Sequence, residues 1–390
     1  MKIVNLYAAF DTMHGATKWA MSFASELANQ GHDSKIVCSR FKIERPYWLQ
    51  AEIVCAKRSL TTGNRLLRVV ANYLNVLSLF WLVDKDSDVL VFHTEASTAL
   101  LPLMRLRCPK AKIIYYCYQP PREVYDLWPL VQRDFSPLVR VLLSAVLPVY
   151  RMLDRFLVRQ ADLVLVWSDE YEEYIKEIYG IDCVEQLPAC VDFGVFARHD
   201  LKIERRLADR YKSAEKVLLM NATLTRKKRV DLLVKALVEM KERDRNIHAL
   251  VIGEGELKEE LLALANSLGV ADRLHLLGYV SQQELPCFYF IADLLFYLEP
   301  DGAWSLSIIE AAAAKLPVIV APGGSMPTLV RDGITGVVLP EYVDEKIVAS
   351  ESLKLLDDEI SSKEMGEANY QHLEQYSLEN AIGRFLRLLE

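Results

Sequence analysis

The segment LLFYLEPDGAWSLSIIEAAAAKLPVIVAPGGSMPTLVRDGITGVV, residues 294–338, carries the reading of the fold. Its first five residues, 294–298, are a short apolar run that predicts a buried strand. Residues 299–305 read as a loop, and residues 306–315, apolar almost all round, predict a short buried helix. Glu310 falls inside that helix, where a carboxylate is costly unless something hydrogen-bonds it. Residues 317–320 predict a second strand, and the Pro-Gly-Gly at 322–324 a loop. Strand, loop, helix, strand is the unit of an open parallel sheet, whose ligands sit beyond the carboxyl ends of the strands.

Outward from this unit the same alternation recurs. The chain opens with KIVNLYA, residues 2–8, a buried strand. A loop at 11–16 with one glycine, Gly15, precedes a helix over 17–29 that turns Trp19, Phe23, Leu27 and Ala28 toward a core. Gly31-His32 ends the helix and residues 34–38 form the next strand, a Rossmann-like start. A glycine there lets backbone approach a ligand; a plain tight turn explains it equally well. Residues 58–84 form a long helical stretch with Arg58, Arg65 and Arg68, and strands follow at 88–93 and 112–118. Pro120-Pro121 stops the second and stiffens the loop before Arg122. Residues 137–158 are strongly apolar but carry Arg140, Arg151 and Arg155. They fit either a buried helical hairpin broken at Pro148 or a face resting on a membrane surface. DLVLVW at 162–167 is a further strand, with Ser168 as cap for a helix over 169–179.

Residues 187–196 have a proline and no strong period, so a domain boundary is placed there. The expected domains are 1–192 and 193–375, with the C-terminal helix at about 376–390 joining the first. The second half alternates again: strands at 216–220, 248–253 and 274–277, helices at 230–241, 256–268 and 283–291, and a polar, basic loop at 221–229. Terminal helices are expected at 345–357 and 378–389.

A chain of 390 residues with 52% hydrophobic residues can fill two cores. Its net charge of −7 argues against a general nucleic-acid binder. The seven cysteines make no CxxC pair and no zinc spacing, which suggests reduced thiols in a cytoplasmic protein. Residues 1–6 read as a strand, not a signal peptide, and no run is long and charge-free enough to span a bilayer.

The order of motifs resembles the GT-B glycosyltransferases of family GT4. The resemblance runs through the opening strand, glycine loop and helix, PACVDFGVF at 188–196, MNATLTRKKRVDLLVKAL at 220–237, the segment at 251–300, and most specifically SLSIIEAAAAKLPVIVAPGG at 305–324. It implies an α/β protein of two Rossmann-like domains with parallel sheets facing across a cleft. It implies sugar transfer with retention from a GDP- or UDP-linked nucleotide sugar to a glycan or lipid-linked acceptor, at the cytoplasmic membrane face, with no cofactor and no metal. Glu310 matches the second glutamate of the family's E-x7-E motif, which holds the donor ribose, and two sugar hydroxyls would satisfy it. Lys228 matches the diphosphate lysine, whose charge would stabilise the leaving group. The donor set implied further includes Gly15 near the phosphates or the reacting sugar, backbone of Gly278, Tyr279 and Val280 over the base, Ser305 and Leu306 at the helix start, and Gly323 and Gly324 by the sugar.

Three positions depart from the family. The first motif glutamate would stand at Gly302, with Asp301 and Glu299 as nearby substitutes. The family's arginine falls at Thr223, with Arg226 and Lys227 able to supply charge. The histidine near the reacting sugar falls at Tyr118, which cannot reproduce imidazole acid–base behaviour. Arg122 could meet an acceptor phosphate, or pair with Glu123 or Asp126. A catalytically impaired GT-B subunit that binds a glycan or a partner transferase is the alternative; an epimerase or phosphorylase lacks the groups it would need.

Overall fold

The computed structural model describes residues 1–46, 48–57, 59–60, 65–243, 245–300, 302 and 304–390. The chain forms two compact units, one of Met1–Ala189 with Ala381–Glu390 and one of Cys190–Asn380.

The first unit is built on a seven-stranded sheet of β1 (Lys2–Tyr7), β2 (Asp33–Cys38), β3 (Glu52–Cys55), β4 (Val89–Phe92), β5 (Lys112–Tyr116), β6 (Leu163–Val166) and β7 (Val184–Gln186). The order is β3-β2-β1-β4-β5-β6-β7, every neighbour parallel. Central strands such as LVLV in β6 are buried throughout, because a parallel sheet is covered on both faces. The edge strands β3 and β7 carry charges and short apolar runs, and sequence patterning gave no strand at either place. The Gly15–Asn29 helix begins earlier than its periodicity suggests, and buries Trp19, Phe23 and Leu27. Phe385, from the far end of the chain, packs edge-on against Phe23 with ring centroids 4.8 Å apart. Ser168 caps the Asp169–Tyr179 helix as expected, accepting from the Tyr171 N–H.

Residues 58–84 are not one helix. The Arg65–Leu77 helix passes into a 3-10 turn over Ser78–Leu82, and Arg58 lies outside the described residues. Nor is there a hairpin at 137–158. Pro137–Val158 is one helix of 22 residues running through Pro148, and only Leu147, Asp154 and Val158 are buried. Asp154 Oδ2 accepts from the hydroxyls of Tyr125 (2.9 Å) and Tyr179 (2.8 Å), fixing the helix to its neighbours. Burial pushes this carboxyl above the ordinary range, and the two hydroxyls offset part of that. No helix among the described residues is long and apolar enough to cross a membrane.

The second unit has a six-stranded sheet of β8 (Lys216–Asn221), β9 (Ile247–Ile252), β10 (Leu274–Gly278), β11 (Leu294–Tyr297), β12 (Val318–Val320) and β13 (Val337–Val338). The order is β10-β9-β8-β11-β12-β13, again all parallel. The Val230–Glu242 helix buries Leu233, Ala236, Leu237 and Met240 into a core shared with Leu218, Val251 and Phe296. The Leu306–Ala313 helix is buried over most of its surface, as its composition requires. Since every strand runs the same way, the loops after β8, β9, β10, β11 and β12 emerge at one end of this sheet.

Candidate active site

In the second unit, β11 and its helix bring two carboxylates to that end. Glu310 is 2% exposed. Its Oε2 accepts from the Tyr289 hydroxyl at 2.6 Å and from Asn221 Nδ2 at 3.1 Å. Asn221 is the last residue of β8, and Tyr289 lies in the Leu285–Ile291 helix. Two protein side chains therefore hydrogen-bond this buried carboxylate. Burial and the neighbouring carboxylate push the Tyr289 phenol well above its usual range, so it remains a donor.

The second carboxylate is Glu299, two residues beyond β11 and 4% exposed. Lys227 Nζ lies 2.7 Å from its Oε1, Lys228 Nζ contacts its Oε2, and the Tyr297 hydroxyl donates to Oε2 at 3.0 Å. Burial raises the Glu299 pKa, and the hydrogen bonds and charges of Lys227 and Lys228 outweigh it, leaving the group below the ordinary carboxylate value. Lys228 also lies 5.3 Å from the Tyr297 ring centroid. The lysines come from a 3-10 turn over Arg226–Lys228 in the loop after β8.

Gly302 does more than lack a carboxylate. A Cβ there would fall 2.5 Å from the ring and hydroxyl of Tyr297, so the space beside it is already filled. Asp301 lies outside the described residues. Arg226 does not join the lysines. It pairs with Glu260 at 3.5 Å and lines a cavity of about 540 Å³ with Arg229, Lys235 and Leu261. Thr223 is exposed in a loop fastened to the Gly-Glu-Gly turn after β9, where Leu224 N–H donates to the Glu254 carbonyl. A Cβ at Gly253 would sit 2.1 Å from the Ala222 carbonyl oxygen, so the close approach of the two loops demands the glycine. Gly278 has φ of 69°, Tyr279 after it is 59% exposed, and Val280 is buried. Ser305 is buried with its hydroxyl 2.9 Å from that of Ser307, and Leu306 opens the helix. Gly323 and Gly324 both take positive φ in the turn after β12.

The first unit carries the other expected residues. Gly15 is the exposed first residue of its helix. Tyr118, just after β5, contacts Nδ1 of His93 through its hydroxyl, and His93 Nε2 lies 2.9 Å from Asn5 Oδ1. An amide oxygen only accepts, so Nε2 carries the proton and Nδ1 accepts from the tyrosine. His93 is 1% exposed, and burial lowers its pKa to about 3, which keeps it neutral. Neither His93 nor Asn5 was legible as a site residue, although His93 stands at a strand's carboxyl end as Tyr118 does. Arg122 is engaged by Asp126 (2.8 Å) and Glu170 (3.4 Å), so of the two partners expected for a paired Arg122 the structure selects Asp126 and adds Glu170.

Residues 13–194 match the Glycosyltransferase Family 4 family, and residues 204–372 match the Glycosyl transferases group 1 family. Over 229 residues, 57% of this chain and 51% of that protein, the sequence is 28% identical to a D-inositol 3-phosphate glycosyltransferase of Segniliparus rotundus. It is 28% identical over 234 residues to a GDP-mannose-dependent alpha-(1-6)-phosphatidylinositol monomannoside mannosyltransferase of Mycolicibacterium smegmatis, 57% of this chain and 60% of that protein. The chain thus spans between half and two thirds of these relatives' length. Among solved structures, Anabaena Alr3699/HepE in complex with UDP and glucose superposes with a TM-score of 0.75 at 14% identity, covering 100% of this chain and 99% of that one. The first half of the chain thus matches a Glycosyltransferase Family 4 domain and the second a Glycosyl transferases group 1 domain, and both units are built on the parallel sheets of the GT-B fold.

Proposed function

We propose that this chain transfers a sugar, with retention, from a GDP- or UDP-linked donor to a glycan or lipid-linked acceptor in the building of a surface glycan or polysaccharide. The observation that carries the reading is the pair of buried carboxylates, Glu310 and Glu299, set with Lys227 and Lys228 at the carboxyl end of the second unit's sheet. In this reading Glu310, oriented by Tyr289 and Asn221, binds the donor ribose. Lys228 neutralises the charge that builds on the departing diphosphate. A diphosphate oxygen takes the acceptor's proton, so no strong protein base is required, and the lysine serves where other transferases use a divalent metal. Gly278, Tyr279 and Val280 flank the base, and Ser305 and Leu306 offer backbone N–H groups to a phosphate. Tyr118 and Arg122 face the acceptor. The relatives' names support the donor class, one being GDP-mannose-dependent and one fold neighbour holding UDP.

The exposed face of the Pro137–Val158 helix supports an acceptor at a membrane surface. A second reading, a non-catalytic subunit, is favoured by the closed space at Gly302. Thermal melting with UDP, GDP, ADP and their sugar conjugates separates the two. A ligand bound only by the folded state raises the midpoint by mass action. A rise with one nucleotide family supports the transferase and names its base; no rise with any of them overturns it.

A further inference from the structure

Glu299 is an unusual neighbour for lysines meant to meet phosphate. Lys227 is 65% exposed at its side chain, yet it reaches a carboxylate that is 5% exposed. A solvated lysine gains little from an ion pair. The buried glutamate gains much more, because a carboxylate out of water needs its charge matched. Each of its oxygens takes one ammonium, and the Tyr297 hydroxyl adds a third contact. Tyr297 can stand there because residue 302 is glycine: any Cβ would meet its ring. The five residues are one construction that holds an internal anion against two cations.

We propose that Glu299 is a built-in counter-anion of the Lys227–Lys228 pair, which an incoming diphosphate displaces, so that the site favours ligands with two adjacent phosphates over those with one. The inference shares with the transferase reading the placing of phosphate at Lys228. The charges decide the selectivity. With Glu299 in place, the two lysines carry a net charge of +1 between them, since 2 − 1 = 1. A single phosphate gains little over the carboxylate it would replace. A diphosphate brings more charge and oxygens enough for both ammoniums, and the displaced carboxylate turns toward water or a ligand hydroxyl. Glu299 thereby lowers affinity for every anion, and lowers it most for the weakest.

The test is calorimetric titration of the full chain and of Glu299→Gln with inorganic phosphate and inorganic pyrophosphate, alongside UMP, UDP, GMP and GDP. The wild type should bind pyrophosphate and discriminate against phosphate. Glu299→Gln should bind pyrophosphate about tenfold more tightly, equivalent to roughly 1.4 kcal/mol, and the ratio of pyrophosphate to phosphate affinity should shrink. The gain should vanish when Lys228→Ala is added. Unchanged or weaker binding by Glu299→Gln, a gain that survives loss of Lys228, or no pyrophosphate binding by either protein overturns the proposal. Should Glu299→Gln fail to fold, Tyr297→Phe decides. It loosens Glu299 without removing it, and should tighten pyrophosphate binding by a smaller factor; no tightening sinks the idea. Pyrophosphate behaving as expected while no nucleotide binds would defeat the donor reading alone. Nucleotides binding with no change on Glu299→Gln would defeat this inference alone.

Discussion

Glu310 is a buried carboxylate whose structural contacts and proposed ribose binding are separable by substitution. Tyr289 and Asn221 both donate to Oε2, so the amide oxygen of Glu310→Gln keeps both bonds but exchanges charge-assisted hydrogen bonds for neutral ones, which should cost about 1 kcal/mol of stability. If the carboxylate also binds the donor ribose, the folded variant should lose roughly tenfold or more in nucleotide affinity. Tyr289→Phe, which removes only the structural contact, should lose less. Titration of nucleotide into the two folded variants separates the contributions, and equal affinities would leave Glu310 a purely structural residue. His93 gives a prediction in pH. Its folded pKa, lowered to about 3 by burial, lies below the ordinary value near 6.5. Between those values the unfolded chain binds more protons, so stability rises with pH there and is lost as pH falls, by up to ~1.4 kcal/mol per unit. Above about 6.5 the contribution is flat. Denaturant unfolding of wild type and His93→Gln at matched pH should show a difference with that slope, and a constant difference from pH 4 to 8 would contradict it. Glu310 stands out in the sequence because a carboxylate in an apolar helix is a local signal, whereas Lys228 is singled out only by the family resemblance. Glu299 is legible only as a substitute for the missing motif glutamate, and Tyr289 and His93 not at all, because their partners are distant in sequence and only the folded chain brings them together.

At the scale of elements, the Pro137–Val158 helix is the one whose pattern two readings fitted, and neither its length nor its composition chose between them. The fold leaves Leu138, Val141, Leu142, Val146, Val149, Met152, Leu153 and Phe156 between 51% and 72% exposed. At ~100° per residue these fall within roughly 140° of arc, opposite the buried Leu147, Asp154 and Val158. An apolar stripe of this length on a surface is of the kind that marks protein or membrane interaction sites. Arg155 and Arg159 border it, donating to the carbonyls of Ile178 and Tyr179. If the stripe rests on lipid, the protein should sediment with anionic vesicles, and the double variant Leu142→Glu, Val149→Glu should remain in the supernatant with its helix content unchanged. Wild type that never sediments would remove the membrane from the account. Pro148 belongs to the same element. Its ring removes a hydrogen bond from the helix interior, so Pro148→Ala should raise stability by up to about 3 kcal/mol, read from the melting midpoint.

For the whole molecule, the alternation of strands and helices was readable because buried parallel strands are continuous apolar runs and their helices have a clear period. The edge strands β3 and β7 escaped because they are short and partly polar. The last residues, placed with the first domain from about 376 onward by the family resemblance, lie in that unit from Ala381 to Glu390, where Phe385 packs on Phe23 across a very long sequence separation. That connection makes a prediction about cooperativity. Phe385 is fully buried, and Phe385→Ala deletes a ring at a cost of about 3–5 kcal/mol. The loss belongs to the unit of Met1–Ala189 with Ala381–Glu390, whereas the residues proposed to bind nucleotide belong to Cys190–Asn380. If the units unfold separately, Phe385→Ala should lower one calorimetric transition and leave a second in place, and a bound nucleotide should raise only the second. If they unfold together, a single transition should fall with the substitution and rise with the ligand, since anything that stabilises one half then protects the other. The number of transitions in Phe385→Ala, measured with and without nucleotide, therefore reports whether a mutation at the end of the chain weakens donor binding in the unit it has just left.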